Sequence, residues 1–436
     1  MKTKATATLI ALTAGLLPLT AQDATPSDLR EQIQRLDQKV RALEQALEST
    51  QTRDNATPSA SPAVALDEKG LRITSGADTH YALKIGALIQ ADARFFLDNG
   101  GENGAHRDSF LLRRVRLPFF INTGKHISFF IQPEFAQVDS NGGNTQLTDA
   151  WAEVRPSTQF GLKFGKYPGP VALETPANRH FIEATFTNQL VATRDIGLEA
   201  SGTFAEKTFT YRLGLYNGAP NNSWSENANL DDGDFSVGGR LAFRPFSNND
   251  NGVVSELTLS IGGSYGHEAA STANGRIRSY GQQTLVNPAT AYSGNHLRIG
   301  PAIEFYHGPF SAIAELMVER WTGPTRATNH GWRVTTGYVL TGENAKGRVT
   351  PAAPFSWGKE PGKRTWGAVE ILGRISGLKV DDRVQNNTHA LSYGTGLAWY
   401  LTRNLSLYFD VVRTDFGSGI NLRNETAAFS RLQINF

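Results

Sequence analysis

A closed antiparallel β-barrel of about 16 strands, with lipid outside and water inside, is the fold class this chain predicts. Three observations carry the expectation: the pattern of the last strand, its repetition upstream, and an alternation of short and long connections. The chain ends Leu432-Gln433-Ile434-Asn435-Phe436. There Phe436, Ile434, Leu432 and Ala428 take one face, while Asn435, Gln433 and Arg431 take the other. That two-residue period suits a wall between an apolar and an aqueous medium, although an amphipathic strand ending a soluble sheet would share it.

Composition permits the barrel and excludes other classes. The 436 residues carry a formal charge of +2, so no charge excess points to nucleic acid. The 43 glycines and 10% aromatics suit a β-rich chain with many turns. A mean hydropathy of −0.33 excludes a bundle of transmembrane helices but not a barrel, because only alternate strand residues meet lipid. The absence of cysteine rules out disulfides, thiolate metal sites and a cysteine nucleophile.

From the N-terminus, Lys2 and Lys4 precede a mostly apolar run from Ala5 to Leu19 that ends Thr20-Ala21-Gln22, which predicts a secretory signal over residues 1–21. In the segment 22–48, Leu29, Ile33, Leu36, Val40, Leu43 and Leu47 are spaced alternately by four and three. This is the stripe of a short coiled coil, with Lys39 placed to meet Glu44 of a neighbouring chain. An amphipathic helix lying on a protein or membrane surface would show the same stripe. Residues 49–69 include a stretch from Ser49 to Ala65 with almost no large apolar side chain and with Pro58 and Pro62, so an extended linker is expected. The barrel is assigned to residues 70–436.

Beyond Gly70, segments of nine or more residues alternate in character about 16 times. In one, Ile127, Phe129, Ile131 and Phe135 oppose Ser128, Gln132 and Glu134; in another, Leu391, Tyr393, Leu397, Trp399 and Leu401 oppose Ser392, Gly394, Gly396 and Ala398. The connections at Asn122 to Lys125, Arg155 to Thr158, Tyr306 to Pro309 and Leu401 to Asn404 are tight. Those at Asp98 to Ser109, Pro168 to Leu190, Gly218 to Gly233 and His267 to Gly294 are long. Short turns on one rim and long loops on the other are the asymmetry of a membrane barrel. The segment Glu343 to Arg364, with Pro351, Pro354 and Pro361, breaks the rule; it holds either an extra strand pair or an ordered insertion.

The face opposite the apolar residues should line the lumen. It carries Lys84, Arg94, Arg114, Arg116, Lys163, Arg212, Arg240, Arg244, Arg298, Arg333, Arg374 and Arg431. Guanidinium groups stay charged and offer several donors to oxyanions, so Arg94, Arg114, Arg116, Lys163, Arg240 and Arg374 are candidates for an anion path. The same phasing places Asp92, Glu134, Asp149, Glu153, Glu199, Glu256, Glu304, Glu315, Glu370 and Asp410 inside, so cross-strand ion pairing is the competing role. Strict alternation turns Arg113 outward, where it could snorkel into headgroups. The loop YPGPVALETPANRHFIEATFTNQLVATRD, with Arg179-His180, carries too many apolar residues for solvent. Folding into the pore would bury them and form a constriction near Arg179; lying against a neighbouring subunit or the rim would also bury them.

No enzyme motif is present: no HExxH, GxSxG or phosphate-cradling Gly-Lys sequence occurs, and no metal or cofactor is expected.

RDSFLLRRVRL, LTDAWAEVRPSTQFGLKFGKYPGP, RDIGLEASG, WGAVEILGRISGL, GLAWYLTRNLSLYFDVVRTDF and the terminal RLQINF together resemble the phosphate-selective porin O and P family over nearly everything after Gly70. The resemblance implies a homotrimer of sixteen-stranded barrels in the outer-membrane lipid, with a basic channel for small anions, phosphate or polyphosphate among them, and the third long loop folded inward. It places Arg113, Arg114 and Arg116 on the family's arginine-rich second strand, so Arg113, like Arg179 of the long loop, joins the candidates for the anion path. The trimer sits against the coiled-coil pattern, since Ile33 and Val40 at a with leucine at d favour two strands. Phe436 would be the contact for the barrel-assembly machinery, and the coiled coil would lie in the periplasm. A barrel anchor tethering the outer membrane to the cell wall through that coiled coil is the alternative function.

Overall fold

The computed structural model of the chain describes residues 34–35, 37–42, 62–75, 80–98, 108–136, 145–174, 181–191, 194–205, 208–218, 234–247, 252–268, 277–286, 294–323, 326–358, 364–382, 388–417 and 422–436. It divides into two compact units, residues 1–60 and 61–436. In the first unit, residues 34–35 and 37–42 are helical and exposed, with Arg41 and Asp37 paired at 3.0 Å one turn apart. The signal segment and the heptad positions other than Val40 lie outside the described residues.

The second unit is a closed barrel of sixteen antiparallel strands. The first strand is made of Tyr81–Ile85 and Leu88–Phe96, and the second of Ser109–Arg116 and Phe119–Thr123. The third to eighth are Ile127–Glu134, Gln146–Val154, Gly161–Tyr167, Asp195–Phe204, Phe209–Tyr216 and Ser236–Phe243. The ninth to twelfth are Thr258–Glu268, Gly294–His307, Phe310–Thr322 and Ala327–Val339. Ala368–Asp382, Thr388–Tyr400, Leu405–Phe416 and Glu425–Asn435 complete the ring. The last strand closes on the first, with Arg431 opposite Asp92 and Gln433 opposite Gln90. Closure leaves no ladder edge in lipid, which is what permits a sheet to span a bilayer.

The wall follows the expected alternation. Leu391, Tyr393 and Leu397 are exposed on the outer surface while Ser392, Ala398 and Tyr400 are buried on the inner one. A Gly70–Thr74 strand pairs with Tyr81–Ile85 outside the ring, and Ala63–Asp67 pairs with Gly70–Thr74. Part of the expected linker is therefore sheet: Ala63–Asp67 turns back at Glu68-Lys69, where Lys69 N–H donates to Asp67 Oδ1 at 2.7 Å.

The exceptional segment on the short-turn rim is an insertion whose described residues include a minimal strand pair, Ser356–Trp357 with Arg364–Thr365. Its Ala345 and Val349 are buried beside Val339, Ala368 and Tyr400, while Ala345 N–H donates to Gly308 O and Arg348 Nη1 to Asn435 O. Lys346 also pairs with Glu256. Phe355 packs edge-on against Trp357 and Trp399, and Trp357 and Trp366 are exposed. Rings with one wet side suit the level where lipid meets water.

Two irregularities reset the inward face. Gln90 opposes Arg114 but Ala91 opposes Leu112, so Arg113 is an extra residue in the second strand. Gln132 opposes Asp149 and Pro133 opposes Leu147, leaving Thr148 extra in the fourth. Pro133 has no N–H for the ladder, and a bulge is where a strand tolerates that.

Candidate functional site: the inward loop and its arginine clamp

The loop between the fifth and sixth strands enters the lumen. Phe181, Ile182, Phe186, Leu190 and Val191 are buried, and a single helical turn, Phe186–Gln189, lies against the eleventh to thirteenth strands. A second loop, before the tenth strand, joins it. There Ile277–Arg278 pairs with Thr284–Val286, Ile277 enters the cluster of Val171, Phe186 and Leu190, and Tyr280 stacks on Phe429. Tyr280 O–H donates to Asp410 at 2.7 Å, and Gly281 N–H and Gln283 Nε2 donate to the buried Glu425. Sequence reading missed this second loop. Ile277, Tyr280 and Leu285 in one connection were the available signal, of the same kind that pointed to the first.

Backbone brought inside a barrel leaves its carbonyls without strand partners, and wall arginines satisfy them. Arg212 Nη2 donates to Pro168 O at 2.9 Å, Arg240 Nε and Nη2 to Pro170 O and Val171 O at 2.9 and 2.5 Å, and Arg298 Nε to Leu190 O at 3.1 Å. Arg374 Nη1 donates to Glu183 O at 2.8 Å and Arg431 Nη1 to Ile182 O at 3.1 Å. Several of these guanidiniums also hold a neighbouring strand's carboxylate: Arg212 with Glu199 at 2.8 Å and Arg431 with Asp92 at 2.6 Å. Five donors on a rigid plane allow one side chain to do both. Gly262 allows the loop its close approach, because a Cβ there would collide with Val171 O.

Glu183 is the anchor of the loop. It is buried and meets Arg94 at 2.7 Å and Arg113 at 2.9 Å. Burial alone would push its carboxyl up, but the guanidiniums of Arg113 and Arg94 hold it well below the usual carboxylate range. This corrects the outward orientation expected for Arg113. Phe110 and Leu112 are 82% and 57% exposed on the lipid side, and the bulge returns Arg113 to the lumen beside Arg114.

The other predicted site residues divide by partner. Arg114 and Arg116 do point inward together, as expected. Arg116 pairs with Glu134 at 2.6 Å, and Arg114 donates to Gln90 Oε1 at 2.7 Å. Arg94, Arg113 and Arg116 are thus ion-paired, and Arg240 and Arg374 clamp the loop, the latter with its guanidinium 4.3 Å from the Phe181 ring centre. Lys163 lies 4.6 Å from the Trp151 ring centre and 5.4 Å from that of Tyr167. Arg179 lies outside the described residues.

Below the loop, toward the short-turn rim, two cavities open. The larger, about 710 Å³, is lined by Lys69, Lys84, Arg348 and Arg403 together with Glu68 and the C-terminal Phe436. The smaller, about 460 Å³, is lined by Arg155, Lys163 and Arg212 with Glu199. Among the described residues no cluster suited to a metal ion occurs.

A closed sixteen-stranded barrel with lipid-type residues outside, charge inside and a loop narrowing the lumen is the architecture of an outer-membrane porin. The profile of the family "phosphate-selective porin O and P" matches residues 83–436, and the chain belongs to that family. No curated protein sequence matches it. Among solved structures, a loop deletion mutant of OmpT, an outer membrane protein of Vibrio cholerae, is 10% identical with a TM-score of 0.55, covering 82% of this chain and 100% of that one. The trimer form of in-vitro folded OmpT from Vibrio cholerae is 9% identical with a TM-score of 0.53, over 82% and 99% of the two chains. The anion-selective porin from Comamonas acidovorans is 11% identical with a TM-score of 0.52, over 82% and 100%. At these identities the likeness concerns the fold.

Proposed function

We propose that this porin is a passive diffusion channel for small anions, phosphate or polyphosphate among them. The observation that carries the reading is the charge of the two lower cavities. Among the described residues, four cations in the larger stand against Glu68, and three in the smaller stand against Glu199 and against Glu153, which pairs with Arg155 at 2.7 Å. Such a surface partly replaces an anion's hydration, and its weak, multiple sites let the ion leave. The clamp contacts run to the seventh, eighth, tenth, thirteenth and sixteenth strands, with Glu183 reaching the first and second. The loop's Arg194 also meets Asp149 on the fourth strand at 3.1 Å, and below that pair we place the passage along the wall of the third to fifth strands, past Lys163. The anion selectivity stated for the Comamonas porin agrees with this reading. In planar bilayers with a potassium chloride gradient, the expected reversal potential has the sign of chloride preference; cation preference overturns the proposal.

The working unit we propose is a trimer, in keeping with the trimer form of OmpT, with the N-terminal helix in the periplasm. Native mass measurement of the detergent-extracted protein should give three chains per particle, and a dimer or monomer would count against it.

A further inference from the structure

Aromatic side chains on the inner face, such as Phe429 and Tyr400, pack in the cluster under the inward loops, yet one row stands outside it. Phe120, Phe130 and Trp151 are successive ladder partners on the second, third and fourth strands, so they stand at one depth and on one face. That face is the lumen, because Gln132 and Asp149, two residues along the same strands, point inward and are hydrogen-bonded at 2.6 Å. Phe130 and Trp151 are stacked with centroids 5.5 Å apart, and Phe120 lies 6.4 Å from Phe130 and 6.3 Å from Trp151. All three rings are half-buried, and none belongs to the clusters that the inward loops bury. Phe120 and Phe130 face the larger cavity and Trp151 the smaller.

A cation stands at each end of the row. Lys84 is the ladder partner of Phe120, and Lys163 Nζ lies 4.6 Å from the Trp151 ring centre. Among the described residues neither lysine has a carboxylate within ion-pair distance, in contrast to Arg94, Arg113 and Arg116. Lys163 has Glu153 and Glu199 as its ladder partners, whereas Lys84 faces Phe120 and Arg72. Flat apolar faces beside an ammonium group that is not held in an ion pair suit a solute with one flat apolar part and one anionic part.

We propose that this row is a binding track for aromatic carboxylates. The arene stacks on Phe120 and Phe130 or on Trp151, and the carboxylate meets Lys84 or Lys163. The proposal rests on the anion-channel reading and adds to it a class of solute that is selected by its ring as well as by its charge.

The test uses the purified full-length channel in bilayers, with benzoate as probe and acetate as the ringless control. Benzoate should interrupt the chloride current at concentrations where acetate does not. Trp151→Ala should raise the benzoate concentration for half-block by about tenfold, the range of one stacked ring. Phe120→Leu, which keeps apolar volume but loses the flat face, should raise it in the same direction and serves if the tryptophan variant does not assemble. Phe129→Ala, on the opposite face of the same strand as Phe130, should leave the block unchanged. Equal action of benzoate and acetate on a chloride-preferring channel, or block that neither ring substitution changes, overturns the track alone. Cation preference in the salt gradient overturns the anion reading beneath it.

Discussion

Replacing Glu183 with glutamine is expected to unseat the inward loop and to widen the channel. The substitution leaves Arg94 and Arg113 without their shared carboxylate, and removing one partner from a buried ion pair costs about 3–5 kcal/mol. Sixteen strands keep their ladders, so the penalty falls on the loop and not on the wall. A shift of about 3 kcal/mol changes a seated-to-unseated ratio roughly a hundredfold. Single-channel recording should then show a larger main conductance level. The reversal potential should move further toward chloride, because the lumen loses one negative charge and Arg113 its ion-pair partner, while Arg94 keeps Asp92 at 3.5 Å. A conductance and selectivity equal to those of the unaltered protein would mean that the arginine bonds to loop carbonyls suffice without Glu183.

Deleting Gln433 to Phe436 should abolish the barrel and not merely its conductance. Those residues supply the pairings with Gln90, Ile89 and Leu88 and the two bonds between Phe436 and Ala87, at 2.9 and 3.0 Å. Asn435 also donates to Asn404 O at 2.9 Å, so the deletion opens edges on the first and fifteenth strands together. Each unsatisfied backbone group facing hydrocarbon costs several kcal/mol. The truncated chain should therefore lack the heat-modifiable band of a folded barrel in gel electrophoresis. A Gln433→Ala variant, which loses only the 2.6 Å side-chain bond with Gln90, should retain it. Appearance of that band in the truncated chain would show that the seam closes without its last residues.

What could be read from the chain was whatever depends on local period. The strand number, the closing strand, the shared inward phase of Arg114 and Arg116 and the burial of Phe181, Ile182 and Phe186 all follow from alternation or from apolar content. What could not be read depends on register between strands. No local pattern places Arg431 opposite Asp92 or stacks Phe130 on Trp151. A single sequence gives the face of a residue but not its neighbour across the ladder. The Arg113 error has the same root, because a bulge shifts the phase by one residue and leaves no local mark in a run of arginines. The candidate anion path suffered most: its residues were mostly correct as lumen residues, but ion pairing and loop clamping, both decided by register, occupy several of them.

The anchoring of the inward loop also bears on the order in which the molecule is built. Ile182 O is held by Arg431 on the last strand, and Glu183 is held by Arg94 and Arg113 on the first two. The seat straddles the junction where the two ends of the chain's sheet meet, so half of it is missing until they have met. Full seating is therefore a latch that can be thrown only after the ring is shut. In an unfinished cylinder Phe186 and Leu190 can already pack on the eleventh to fourteenth strands, while Ile182 O and the Glu183 carboxylate still lack the partners on either side of the seam.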